Sequence, residues 1–133
     1  MDSSASLAKI LIIDDEEHLR NLLADLLASD GYEVKTAADG REGLASFQEG
    51  TYDVVITDLG LPEMSGLEVA EEIKKIAPAT PVVLLTGFSL QPGDGQMKDT
   101  KVDLIITKPF QLAQVLDVVH KALRIKEEHE LRV

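Results

Sequence analysis

The sequence predicts an α/β fold built on a single doubly wound, five-stranded parallel sheet. Three observations predict it. Short apolar runs rich in β-branched residues recur along the chain, as in Ile10-Leu11-Ile12-Ile13 and Val54-Val55-Ile56, the composition of strands covered on both faces. Between such runs, apolar residues recur at helical spacing, as in Leu19, Leu22, Leu23, Leu26 and Leu27. The strand-like runs also end on chemically active side chains: Asp14 and Asp15, Asp58, Thr86 and Lys108. Alternating strands and helices imply helices on both faces of the sheet, and right-handed crossovers restrict the topology. The expected strand order is 2-1-3-4-5, the flavodoxin-like arrangement, with its switch point between strands 1 and 3.

Taken in order, residues 1–7 are small and polar and are expected to fray. One domain is expected over 8–127. Strand 1 spans 9–13, and the acids 14–17 lead into a helix that stops near Asp30-Gly31, where the glycine is a C-cap signal. Strand 2 spans 33–37. Asp39 and Glu42 read as a capping box for a helix over 40–49, ending at Gly50. Strand 3 covers 53–57 and delivers Asp58, after which Gly60 and Pro62 force a turn. Ser65 and Glu68 form a second capping box, for a helix that runs to Ile76 and is closed by Pro78. Strand 4 is Pro81 to Thr86. Pro92, Gly93 and Gly95 interrupt residues 87–100, which are expected to form a long loop or a short helix at about 95–100. Strand 5 spans 103–107, and Leu112, Val115, Leu116, Val119 and Leu123 mark a last helix over 111–127. Residues 128–133 form a charged tail that extends this helix or opens a linker.

Composition narrows the function. A chain of 133 residues with 44% hydrophobic content fits one domain with a real core. It has no cysteine, so neither disulfides nor thiol chemistry operate. No apolar run reaches about 18 residues and no basic-then-apolar leader opens the chain, so a soluble, cytoplasmic protein without membrane contact is expected. The net charge of −11 argues against direct nucleic-acid binding, which needs clustered lysine and arginine. An acidic excess suits cation binding, although solubility accounts for most of the 24 acids.

In parallel α/β sheets, chemistry gathers outside the carboxyl ends of the strands. There the predicted order brings Asp14, Asp15 and Asp58 to one crevice, with Thr86 and Lys108 on the same edge. Each has a plain alternative: Asp14 or Asp15 can cap the first helix, Thr86 can end a strand, and Lys108 can lie on the surface. Taken together they form a chemical set. Three neighbouring carboxylates repel one another unless compensated, and Mg²⁺ binds through one or two carboxylates plus waters and a phosphoryl oxygen. Carboxylates form aspartyl-phosphates, which makes Asp58 a candidate nucleophile. Lys108 and the Thr86 hydroxyl can stabilise the arriving phosphoryl group.

The motifs Ile-Leu-Ile-Ile-Asp14-Asp15-Glu16, Thr57-Asp58-Leu-Gly-Leu-Pro62-Glu-Met-Ser-Gly66, Leu85-Thr86-Gly87 and Thr107-Lys108-Pro109-Phe110 occur in this order across residues 8–125. The set resembles the receiver domain of two-component response regulators of the chemotaxis-protein type. The resemblance implies a phosphorelay signalling module in which Asp58 takes a phosphoryl group from a histidine of a sensor kinase or phosphotransfer protein. It implies Mg²⁺ held by Asp14, Asp15, Asp58 and the carbonyl of Gly60. Lys108 would pair with the acceptor and then with the phosphoryl group, and Thr86 would bond a phosphoryl oxygen on switching. A cis Lys108–Pro109 bond is implied as well. Such a module catalyses only its own phosphoryl transfer and slow dephosphorylation, as a monomer or weak dimer.

One departure stands out. The position three residues before Lys108 is usually aromatic in this family and is Ile105 here. It keeps open a receiver-like module that binds partners without switching by phosphorylation. Other classes fit less well. A haloacid-dehalogenase-type phosphatase wants a second aspartate two residues past the nucleophile, where Gly60 stands, and a longer chain. A flavin-binding domain wants a phosphate loop after strand 1, where four acids would repel an anion.

Overall fold

A computed structural model describes residues 8–87 and 101–131. The expectations for 1–7 and for the greater part of 87–100 lie outside the described residues. The elements are β1 (Lys9–Ile13), α1 (Glu17–Ser29), β2 (Glu33–Ala37), α2 (Gly40–Glu49), β3 (Val54–Asp58), α3 (Gly66–Ile76), β4 (Val82–Thr86), β5 (Leu104–Thr107) and α4 (Leu112–Leu131). The strands form one parallel sheet in the order β2-β1-β3-β4-β5.

Strand pleating divides the core in two. Ile10 and Ile12 of β1, Val54 and Ile56 of β3 and Val83 and Leu85 of β4 pack with Leu23 and Leu27 of α1 and Val115 and Val119 of α4. The alternate residues, Leu11, Ile13, Val55 and Val82, pack with Phe47 of α2 and with Val69, Ala70 and Ile73 of α3. Burying each large aliphatic side chain stabilises the fold by roughly 1.5–3 kcal/mol. No helix among the described residues is long and apolar enough to cross a membrane.

The helix ends show how the sheet edge is shaped. Neither Asp14 nor Asp15 caps α1; Glu16 does, accepting from the N–H groups of His18 and Leu19. Asp30 is the C-cap of α1, and Gly31 follows at φ 97. Asp39 caps α2 through the N–H of Glu42, but the Glu42 carboxylate returns to the N–H of Ala38 rather than to that of Asp39. Ser65 and Glu68 form the complete reciprocal box of α3. The last helix runs past 127 to Leu131, so residues 128–131 are helical.

The opposite pole, where the strands begin, is pinned by two aspartates. Asp53 accepts the N–H of Lys9 on one oxygen and the ammonium of Lys126, from α4, on the other. Asp103 accepts the N–H of Val82 and the ammonium of Lys74, from α3.

Candidate functional site

Asp14 and Asp15 follow β1 directly, and Asp58 is the last residue of β3, in register with Leu85 of β4. One carboxylate oxygen from each of Asp14, Asp15 and Asp58 lies within 4.8 Å of the others. Asp14 is fully buried, Asp58 nearly so, and Asp15 is exposed. Lys108, which follows β5, places its Nζ 2.7 Å from Oδ1 of Asp58. The peptide bond from Lys108 to Pro109 is cis.

Close backbone packing sets these positions. A Cβ on Gly66, the first residue of α3, would lie 2.3 Å from the carbonyl oxygen of Asp58, so the helix start closes onto the acid's own peptide. The N–H of Gly66 donates to the carbonyl of Leu59, and the N–H of Leu59 donates to that of Leu85. On the other side, a Cβ on Gly43 would meet Cδ1 of Ile13 at 2.3 Å, which lets α2 seat the end of β1 just before Asp14.

Thr86 is buried at the end of β4 opposite Thr107, and its carbonyl accepts the N–H of Lys108 at 2.7 Å. Gly60 is exposed in the turn after β3; a Cβ there would be 3.8 Å from Oδ2 of Asp58. All the residues singled out in the sequence thus stand on one sheet edge. Asp14, Asp15, Asp58 and Lys108 meet through side chains, while Thr86 and Gly60 adjoin them.

Electrostatics follow from this crowding. Burial raises the pKa of Asp14, and the charges of Asp58 and Asp15 raise it further, against the Glu16 N–H and Lys108, which lower it. Burial works to lower the pKa of Lys108, but the hydrogen bond and charge of Asp58, with the charges of Asp14 and Asp15, outweigh it; the net shift is upward and the ammonium stays charged. Oδ1 of Asp14 accepts the N–H of Glu16, whereas Oδ2 is buried without a partner among the described residues. Three oxygen-donor carboxylates, one with an orphaned buried atom, fit a hard divalent cation.

The histidines contribute little here. His18 is exposed on the first turn of α1 and His129 on the last turn of α4. His120 lies 3.5 Å from Asp30 and beside the ring of Tyr32. Sequence reasoning passed over Arg20, whose Nη1 donates to the carbonyl of Asp14 at 2.9 Å. It also passed over the tight placement of Gly66. Position carries a signal for Gly66, as the first residue after a capping serine, but none for the reach of Arg20.

Residues 10–120 match the response regulator receiver domain family. The transcriptional regulatory protein YkoG of Bacillus subtilis is 38% identical over 115 residues, 86% of this chain and 50% of the relative. The regulatory protein VanRB of Enterococcus faecalis is 34% identical over 116 residues, 87% of this chain and 52% of the relative. The chain therefore spans about half the length of the curated relatives it matches. Among solved structures, the chemotaxis protein CheY4 of Vibrio cholerae superposes with a TM-score of 0.81 at 34% identity, covering 88% of this chain and 99% of that one. The response regulator TrrA of Thermotoga maritima, in complex with Mg(2+)-BeF, gives 0.79 at 38% identity, covering 88% and 100%. These likenesses favour the receiver reading over the phosphatase and flavin-binding alternatives. With its five-stranded order and its acid–lysine edge, the chain belongs to the response regulator receiver domain family.

Proposed function

We propose that Asp58 is the phospho-acceptor of a two-component phosphorelay and takes its phosphoryl group from a phosphohistidine of a sensor kinase or phosphotransfer protein. The observation that carries this reading is the 2.7 Å contact of Lys108 with Oδ1 of Asp58, beside two further carboxylates at the sheet edge. With Oδ1 engaged by the ammonium, Oδ2 is the nucleophile. It attacks phosphorus, the P–N bond of the phosphohistidine breaks, and the electron pair leaves with the imidazole nitrogen, which takes up a proton.

Asp14, Asp15 and Asp58, with the carbonyl of Gly60, would hold Mg²⁺. When bound, the ion supplies charge neutralisation for the phosphoryl oxygens. Lys108 neutralises the acceptor before transfer and the phosphoryl group after it. The Thr86 hydroxyl, at the neighbouring strand end, donates to a phosphoryl oxygen in the switched state. This local change of charge at the β4–β5 ends alters the partner surface. The module is not an enzyme acting on a released substrate; it phosphorylates itself and loses the group slowly to water. Its net charge of −11 sets it against direct contact with a nucleic-acid backbone. A cytoplasmic setting matches the source of the phosphoryl group.

Incubation with Mg²⁺ and acetyl phosphate is expected to add one phosphoryl group by intact mass, and Asp58→Asn to prevent it. An unchanged wild-type mass would overturn the acceptor assignment.

A further inference from the structure

Asp14 is held at three points. Its N–H donates to the carbonyl of Ala37 at 3.1 Å, its Oδ1 accepts the N–H of Glu16 at 2.8 Å, and its carbonyl accepts Nη1 of Arg20 at 2.9 Å. The first two contacts are with the main chain of β2 and of the loop itself. The third is a side chain that starts on α1 and reaches back over the helix start.

The placement of Arg20 runs against simple electrostatics. A cation in the first turn of a helix opposes the macrodipole, and a cation beside a metal site opposes the metal. The partner of Arg20 is a main-chain oxygen. Its role is therefore geometric: pinning that carbonyl fixes the peptide between Asp14 and Asp15, and with it the direction in which both carboxylates leave the backbone.

We propose that Arg20 is a positioning residue for the cation-binding acids, holding the Asp14–Asp15 peptide so that Oδ2 of Asp14 and the Asp15 carboxylate converge with Asp58. This rests on the Mg²⁺ reading of the acid cluster. Residues that orient metal ligands from behind typically account for about 10–100-fold in metal affinity.

The test is Mg²⁺ titration by calorimetry and by backbone amide NMR on the full chain, with wild type, Arg20→Met and Arg20→Lys. Arg20→Met is expected to weaken Mg²⁺ binding by about tenfold, the lower end of that range. Arg20→Lys is expected to recover part of the loss, because an ammonium can still reach the carbonyl. Charge alone predicts the opposite sign: removing a cation beside the site would tighten binding. Met binding as well as or better than wild type overturns the proposal. If Arg20→Met fails to fold, Arg20→Gln, whose shorter uncharged side chain gives up the reach of the guanidinium, decides: wild-type or tighter affinity there overturns the proposal, and a weakened affinity with an otherwise unchanged amide spectrum supports it. Failure of the wild type to bind Mg²⁺ is a separate result, which removes the cation reading itself and this inference with it.

Discussion

One oxygen of Asp103, Oδ2, receives both the ammonium of Lys74 and the N–H of Val82, each at 2.8 Å. Both side chains are largely buried, at 13% and 21% exposure, so solvent screens the pair only weakly. The Lys74 ammonium also donates to the carbonyl of Thr80 at 2.8 Å. A single carboxylate therefore joins the end of α3 to the start of β4. Lys74→Met is expected to lower unfolding free energy by about 2 kcal/mol in urea denaturation, since it leaves a desolvated carboxylate short of one charged donor. Phosphorylation of the folded fraction should persist, because this pole is remote from Asp58. A change below about 0.5 kcal/mol would mean that the ion pair is not a structural joint.

Gly66 gives a test of close packing. A Cβ at this position would sit 2.3 Å from the Asp58 carbonyl oxygen. Gly66→Ala should cost about 1–3 kcal/mol as overpacking and slow phosphorylation by shifting the acceptor. Gly60→Ala is the control for stability alone, because its Cβ would meet only Oδ2 of Asp58, at an ordinary 3.8 Å. Thermal melts distinguish the two variants, and an intact-mass time course against wild type reads the slowing in Gly66→Ala; equal melting temperatures of the two variants would refute the packing argument.

Glu63 sits in the left-handed region at φ 66, in the turn between β3 and α3. Its pair with Arg41 is long, at 4.0 Å, and highly exposed. Such a pair contributes little, whereas a left-handed backbone costs a non-glycine residue about 1 kcal/mol. Glu63→Gly is expected to raise the melting temperature, with a gain in stability of roughly 0.5–1 kcal/mol offset slightly by unfolded-chain entropy. A fall in stability would show that the side chain, and not the backbone, dominates at this turn.

The buried carboxyl of Asp14 ties stability to pH. Its folded pKa lies above the unfolded value of 3.8, chiefly through burial. The folded state thus holds this proton more tightly than the unfolded state does. The group's stabilising contribution is full below pH 3.8 and is lost as pH rises through the raised folded value. At neutral pH and without metal, Asp14→Asn should therefore be more stable than wild type, by about 1 kcal/mol for the relieved unpaired oxygen. The same variant should lose most of the stabilisation that Mg²⁺ gives the wild type. Denaturation with and without Mg²⁺ checks both; a less stable metal-free variant would contradict the burial argument.

The sheet and its reactive edge were legible because both rest on local patterns. Pleated apolar runs place Ile10, Val54 and Val82 in strands, and right-handed crossovers then order them. The strand ends were legible to within a residue: Asp58 belongs to β3 rather than following it, and Asp53 lies outside it. Capping was harder. Asp14, Asp15 and Glu16 are chemically similar and adjacent, and only the turn geometry selects Glu16 as the cap of α1. The clamps at Asp53 and Asp103 could not be read, because each joins residues from different elements, such as Asp53 with Lys126. The end of α4 was obscured for another reason: the highly charged run after Ile125 lacks an apolar period but suits a solvated helix, as the Lys126–Glu130 pair shows.

Helix α4 begins shortly after Lys108 and is fastened at the far pole where Lys126 meets Asp53. From Leu112 to Leu131 it spans its full 20 residues, about 30 Å at the rise of an α-helix. One end of this rod adjoins the ammonium that meets Asp58, and its last turns are fastened to Asp53. The helix and the lysine before it therefore tie down both ends of β3, Asp58 through Lys108 and the residue ahead of Val54, Asp53, through Lys126.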